Sequence, residues 1–168
     1  MMLDTKRASK CVSTFFLCSI FTALPAQSQE AIFIIRHAEK AVAIDPPLSA
    51  AGVERAHRWA EMFASAGVDY IYTSEALRTR ETGGIIAEAL GVGVEAYPTN
   101  DPEGLIEQIG DFHPDDVVVV VGHTETIPDM LSALGAFDLY EWDLSDYARF
   151  FVVVPGDGVP VMLDMRMP

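Results

Sequence analysis

Four side chains in three separate stretches could act together on one anion: Arg36 with the adjoining His37, then Arg78, then His123. Guanidinium groups present paired donors that match the oxygens of a phosphoryl group. A neutral imidazole can attack phosphorus, splitting hydrolysis into transfer to the ring and release to water. Arg36-His37 and Gly122-His123 each close an apolar run with strand character, Ala31–Ile35 and Val117–Val121. Thr73-Ser74 closes a third, Asp69–Tyr72, and Arg78 falls in the first turn of the helix that follows. In an open parallel sheet the carboxyl ends of the strands form the ligand crevice, so all four groups are expected there. Helix N-termini at that edge would add backbone donors.

The elements that must hold them are legible in the pattern. Ser49 reads as the N-cap of a helix in which Val53, Ala56, Ala60 and Phe63 recur at helical spacing, and Gly67 ends the segment. A second helix runs from the Ser74 turn to Leu90-Gly91; its Gly83-Gly84 pair implies close packing on the sheet. Val94–Tyr97 is predicted as a strand, Leu105–Phe112 as a weak helix, and Thr124–Leu134 as a helix with Pro128 near its first turn. The five valines of Val117–Val121 mark a strand buried on both faces. Phe150–Val154 and Val159–Leu163 are predicted to pair across Pro155-Gly156-Asp157-Gly158. Alternating strands and helices predict an α/β fold with a largely parallel sheet covered on both faces.

The motifs themselves are familiar. Arg36-His37-Ala38-Glu39-Lys40 resembles the Arg-His-Gly signature of the histidine phosphatase (phosphoglycerate-mutase-like) superfamily in an Ala-Glu-Lys variant. Asp45-Pro46-Pro47-Leu48-Ser49 with Gly52 resembles the family's loop into its first helix, and Ser74–Thr79 with Thr82 its second arginine motif. Val121-Gly122-His123 matches its second histidine motif, and the likeness covers nearly all of 31–154 in the expected order. The resemblance implies a three-layer α/β/α sandwich with one antiparallel strand in a mainly parallel sheet. It implies that His37 forms the phosphohistidine while Arg36, Arg78 and His123 bind and polarise the phosphoryl group, with no metal or other cofactor required. Ala38 stands where glycine is commoner, adding a methyl beside the pocket. The acid that protonates the leaving group stays open among Glu125, Asp101 and Glu103. Glu125, two residues past His123, is similar to an acidic residue of acid-phosphatase relatives and ranks slightly above Asp101.

Composition narrows the partners. The 168 residues suit one compact domain. Lys6, Arg7 and Lys10, the apolar run Cys11–Leu24, and the small residues Ala23, Ala26 and Ser28 form the three-part order of a secretory leader. Residues 1–28 are therefore expected to be a signal peptide and 29–168 the phosphatase domain, exported to a periplasm or beyond, with no stable membrane association after cleavage. Losing three basic residues and Asp4 with the leader moves the formal charge from −14 to −16, and both cysteines leave too. So acidic a chain is unsuited to nucleic acid, and any anion site must be made from local positive charge.

The expected reaction is metal-independent hydrolysis of a small phosphorylated substrate through His37. The alternatives are a binding protein that keeps the pocket without efficient turnover and, less well matched to the short insertions, a mutase. A zinc site on the same histidines is disfavoured because Arg36 and Arg78 would repel a cation. Glu39 and Lys40 are expected either at the pocket mouth or in a surface ion pair. His57 is read as packing or surface and His113 as solvated; Phe137, Tyr140, Trp142 and Tyr147 could wall a substrate, with core packing the default reading.

Overall fold

A computed structural model describes residues 31–136, 143, 146–156 and 158–168. The expected leader, as well as Phe137, Tyr140 and Trp142, lies outside the described residues. The order of elements is β1 (Ala31–Arg36), α1 (Ala50–Phe63), β2 (Tyr70–Ser74), α2 (Leu77–Leu90), β3 (Gly93–Tyr97), α3 (Pro102–Phe112), β4 (Val117–Gly122), α4 (Ile127–Ala133), β5 (Arg149–Val154) and β6 (Val161–Arg166). The strands form one sheet in the order β3-β2-β4-β1-β5-β6. β2 pairs in parallel with β3 and β4, and β4 with β1, while β5 runs antiparallel to both β1 and β6. The one reversed strand is therefore β5, in agreement with the expected mainly parallel sandwich.

Side-chain alternation along the strands divides the core in two. Ile32 and Ile34, Val118 and Val120, and Phe151 and Val153 face α3 and α4, packing on Leu105, Ile109, Ile127 and Met130. Ile35, Val119, Val121, Phe150 and Val152 face α1 and α2, packing on Trp59, Phe63 and Ile86. Both faces of the valine strand are thus covered, which is why its sequence does not alternate. In α1 the buried face is Gly52, Ala56, Trp59, Ala60 and Phe63. Val53, expected in that stripe, is turned outward, and the Trp59 ring fills the interior instead.

Two helix starts differ from the expected ones. α3 begins at Pro102, because the Asp101 side chain accepts from the Gly104 amide and proline suits the first helical position. α4 begins three residues late, because the Thr126 hydroxyl turns back to accept from the His123 amide at 3.1 Å. The β6 strand is also displaced, starting at Val161 after Pro160.

The paired glycines of α2 do different jobs. A Cβ on Gly83 would stand 2.3 Å from the Thr73 methyl, so this glycine lets α2 lie on β2. A Cβ on Gly84 would meet nothing within 4 Å. Urea denaturation should therefore separate the neighbours: Gly83→Ala loses about 1–3 kcal/mol to overpacking, whereas Gly84→Ala gains about 0.5–1 kcal/mol from helix propensity. Equal effects of one sign would contradict the packing described.

Candidate active site

Parallel register brings the first two motifs side by side. Arg36 of β1 is opposite Gly122 of β4, and the His37 amide donates to the Gly122 carbonyl at 3.0 Å. His37 and His123 therefore leave adjacent strands together, their ring centroids 5.3 Å apart. Arg78 arrives from α2 and donates from Nη2 to His123 Nδ1 at 3.1 Å. Arg36, His37 and His123 are buried and Arg78 half-buried. Arg78 Nε is also buried, with no hydrogen-bond partner among the described residues. The structure thus gathers Arg36, His37, Arg78 and His123 at one strand edge.

Hydrogen bonds set the tautomer of each ring. His37 Nδ1–H donates to the Ala38 carbonyl at 2.7 Å, which leaves Nε2 with the lone pair. His123 accepts from Arg78 at Nδ1, so its proton is on Nε2, donating to Ser74 Oγ at 2.7 Å. Ser74 Oγ passes its own proton toward Thr79 Oγ1 at 2.7 Å, and Thr79 donates to the Ala76 carbonyl at 2.7 Å. Thr82 joins the arginine helix to the loop after His37, accepting from the Ala38 amide at 3.1 Å and donating to the Arg78 carbonyl at 2.7 Å. The threonines of the second motif are therefore fasteners for the rings and the arginine.

Electrostatics keep both imidazoles uncharged. Burial lowers the His37 pKa to about 3 despite the Ala38 hydrogen bond, and Arg36, His123 and Arg78 push in the same direction. Burial and Arg78 lower that of His123 to about 4, against an opposing pull from the Glu125 carboxylate.

The histidine phosphatase superfamily, branch 1, has a sequence profile that matches residues 32–100, which carry the first histidine motif and the second arginine. Over that stretch the chain is similar to the histidine phosphatase superfamily. Over 75 residues it is 36% identical to a Yersinia enterocolitica protein assigned as phosphoglycerate mutase GpmB; the match takes in 40% of this chain and 35% of that protein. The fold is similar to that of a candidate SixA phosphohistidine phosphatase from Agrobacterium tumefaciens, with TM-score 0.66, 22% identity, and 83% and 99% of the two chains covered. It is also similar to a mycobacterial glucosyl-3-phosphoglycerate phosphatase solved with VO3, with TM-score 0.65, 14% identity, and 82% and 98% coverage.

Several residues take places that differ from the default sequence reading. The Tyr147 ring lies under the Arg36 guanidinium, 4.2 Å from its centroid, and 6.0 Å from the His37 ring. Its backbone is fixed by Asp146, whose buried carboxylate pairs with Arg166 at 2.7 Å and accepts from the Ala148 amide. Tyr147 is thus a wall of the site rather than a core aromatic; its separation of 111 residues from Arg36 hid the pairing. Asp45 caps α2 from outside, accepting from the Leu77 amide at 3.0 Å, and stands 3.9 Å from Arg78 Nη1.

The α2 terminus therefore offers that amide to Asp45, and the Thr126 and Ile127 amides at α4 bond the His123 carbonyl. These three amides are committed internally, and the positive charge at the site comes from the Arg36 and Arg78 side chains. Glu39 forks onto Arg55 at 2.6–2.9 Å, an ion pair rather than a pocket group. Burial resists its ionisation, yet the Arg55 bonds outweigh that and hold its carboxyl below the ordinary value. The Ala38 methyl packs with Leu48 and Ala56 instead of facing the pocket. His113 is not solvated: it bonds Tyr72 Oη at 3.0 Å and Asp116 at 2.7 Å. Among the acids, Glu125 is exposed and within electrostatic reach of His123, whereas Asp101 caps α3 and Glu103 faces Glu107 and Ser132.

Because both folded-state pKa values lie below that of free histidine, about 6.5, the unfolded chain takes up protons that the folded chain refuses as pH falls through that value. The two rings therefore withdraw stability progressively from about pH 6.5 down toward their folded pKa values. Nitrogen-resolved NMR at pH 5.5 should show both rings neutral, with the proton on Nδ1 of His37 and on Nε2 of His123. A protonation midpoint near 6.5 for either ring would contradict the electrostatics described.

Proposed function

We propose that this chain is a phosphatase that hydrolyses a phosphomonoester through a phosphohistidine on His37. The observation that carries the proposal is the His37 Nδ1–H bond to Ala38, which fixes the ring with Nε2 unprotonated among Arg36, Arg78 and His123. The Nε2 lone pair attacks phosphorus as the bond to the ester oxygen breaks, and the departing oxygen takes a proton. Water then attacks the phosphohistidine, inorganic phosphate leaves, and His37 is regenerated. Arg36 and Arg78 hold the non-bridging oxygens, and His123, accepting from Arg78 and donating to Ser74, positions the Arg78 guanidinium for that contact.

Glu125 is assigned as proton donor to the leaving group, since it is the candidate carboxylate that acts on His123. The leader sequence supports export of residues 29–168, which would place the reaction outside the cytoplasm.

Purified protein incubated with an aryl phosphate in chelator should release inorganic phosphate, and His37→Ala should lower turnover at least about 10³-fold. Dependence on an added divalent metal, or undiminished turnover in the variant, would refute the mechanism. Phosphate binding without ester hydrolysis would instead assign a binding protein. Phosphoryl transfer to a second hydroxyl of a phosphoglycerate in place of water would assign a mutase.

Glu125→Gln should slow alkyl phosphates by about 10²-fold, while nitrophenyl phosphate, whose leaving group needs little protonation, changes little. Equal losses on both substrates would remove Glu125 from the role.

A further inference from the structure

Between the nucleophile motif and α1 the chain makes a loop closed by the Lys40–Leu48 bridge and by the Ala41 amide donating to the Pro47 carbonyl at 2.9 Å. Its crown is Ala41-Val42-Ala43-Ile44, four consecutive apolar residues in a strongly acidic chain. Val42 and Ile44 are fully exposed, at 106% and 101% of their reference areas. An isolated exposed aliphatic residue needs no explanation, but an uninterrupted exposed apolar run is out of place on a soluble surface unless it meets something.

The two ends of the run show where it stands. Lys40 is near enough to His123 to disfavour protonation of that ring. At the other end Asp45 is anchored to the Leu77 amide and lies 3.9 Å from Arg78 Nη1. Asp45 holds a left-handed backbone, φ 46°, a conformation that persists only where surroundings enforce it. Ile44 is covalently next to Asp45, so the apolar run ends one residue from the side chain that meets the arginine proposed to hold phosphate. The half-buried ring of Tyr147, 6.0 Å from His37, adds a second apolar surface at the same pocket.

We propose that Val42 and Ile44, with Tyr147, form the surface that receives the alcohol portion of the substrate, and that the substrate is the monoester of an apolar alcohol, aryl or alkyl, rather than of a polyol. The proposal rests on the phosphatase reading. Arg36 and Arg78 take the phosphoryl dianion, while the crown offers no charge or hydrogen-bonding side chain to a hydroxylated leaving group. The strongly negative chain further disfavours substrates that carry several phosphates.

The test compares ethyl, butyl and hexyl phosphate with glycerol phosphate, all esters of primary alcohols. The measurement is kcat/KM for the purified chain and for the variants Val42→Ser and Ile44→Ser. The expected result is a rise of about twofold to threefold per methylene, the transfer preference of a partly buried methylene. The hexyl-to-glycerol ratio should exceed 10 and fall about tenfold in Ile44→Ser. A flat series with turnover intact overturns the proposal and leaves the phosphatase reading standing.

If no ester is hydrolysed, calorimetric affinities decide separately. Hexyl phosphate binding tighter than inorganic phosphate, with the difference lost in Ile44→Ser, sustains the apolar surface while the enzyme reading fails. Equal affinities overturn it. A flat series together with self-association or phospholipid-vesicle binding that Val42→Ser abolishes would assign the crown to a second copy or a bilayer, and would likewise overturn the proposal.

Discussion

Positive charge is concentrated in this site against its own repulsion, in a chain that is acidic almost everywhere else. Two guanidinium groups meet two imidazoles in a largely buried space, and the arrangement is tolerable only because both rings stay neutral. Burial and the arginines disfavour protonation, and the hydrogen bonds from His37 to Ala38 and from His123 to Ser74 decide which nitrogen keeps the remaining proton. What is left is a pair of fixed cations beside a ring nitrogen with an available lone pair. An arriving phosphoryl dianion would relieve the repulsion between the arginines, so the same charges that destabilise the empty pocket favour the bound state.

The fold is arranged to enforce that convergence. Parallel register between β1 and β4 places Arg36 against Gly122, so that both histidine motifs leave the sheet at one height. Gly52 lets α1 touch the loop after His37: a Cβ there would stand 2.1 Å from the Glu39 carbonyl oxygen. Thr82 ties the same loop to α2, and Gly83 lets α2 lie on β2. Tyr147, two residues before the reversed strand β5 that pairs with β1, lies beneath Arg36. Each contact is modest, but together they leave the reactive groups little freedom to move apart.

Much of this was legible in the sequence because it depends on local pattern. Five valines in a row read as a doubly covered strand, the polar residues at three strand ends read as one crevice, and Ser49 read as a cap. What stayed hidden depends on long-range partners. Nothing in the residues around Tyr147 separates a ring that supports a buried arginine from one that fills a core. His113 reads as solvated beside Pro114, although Tyr70, Tyr72 and Asp116 enclose it. The Asp45 carboxylate serves a helix that begins 32 residues later. The late start of α4 follows from a hydroxyl that turned back to the His123 amide instead of capping forward.

The central claim is that His37 offers Nε2, and not Nδ1, to phosphorus. Rapid quenching of the enzyme during turnover at alkaline pH, followed by phosphorus–nitrogen correlated NMR of the ring-labelled protein, reads the linkage directly. The account predicts one phosphoryl group on His37 through Nε2. A phosphoryl group on Nδ1, on another residue, or on no residue while ester is being hydrolysed would contradict it.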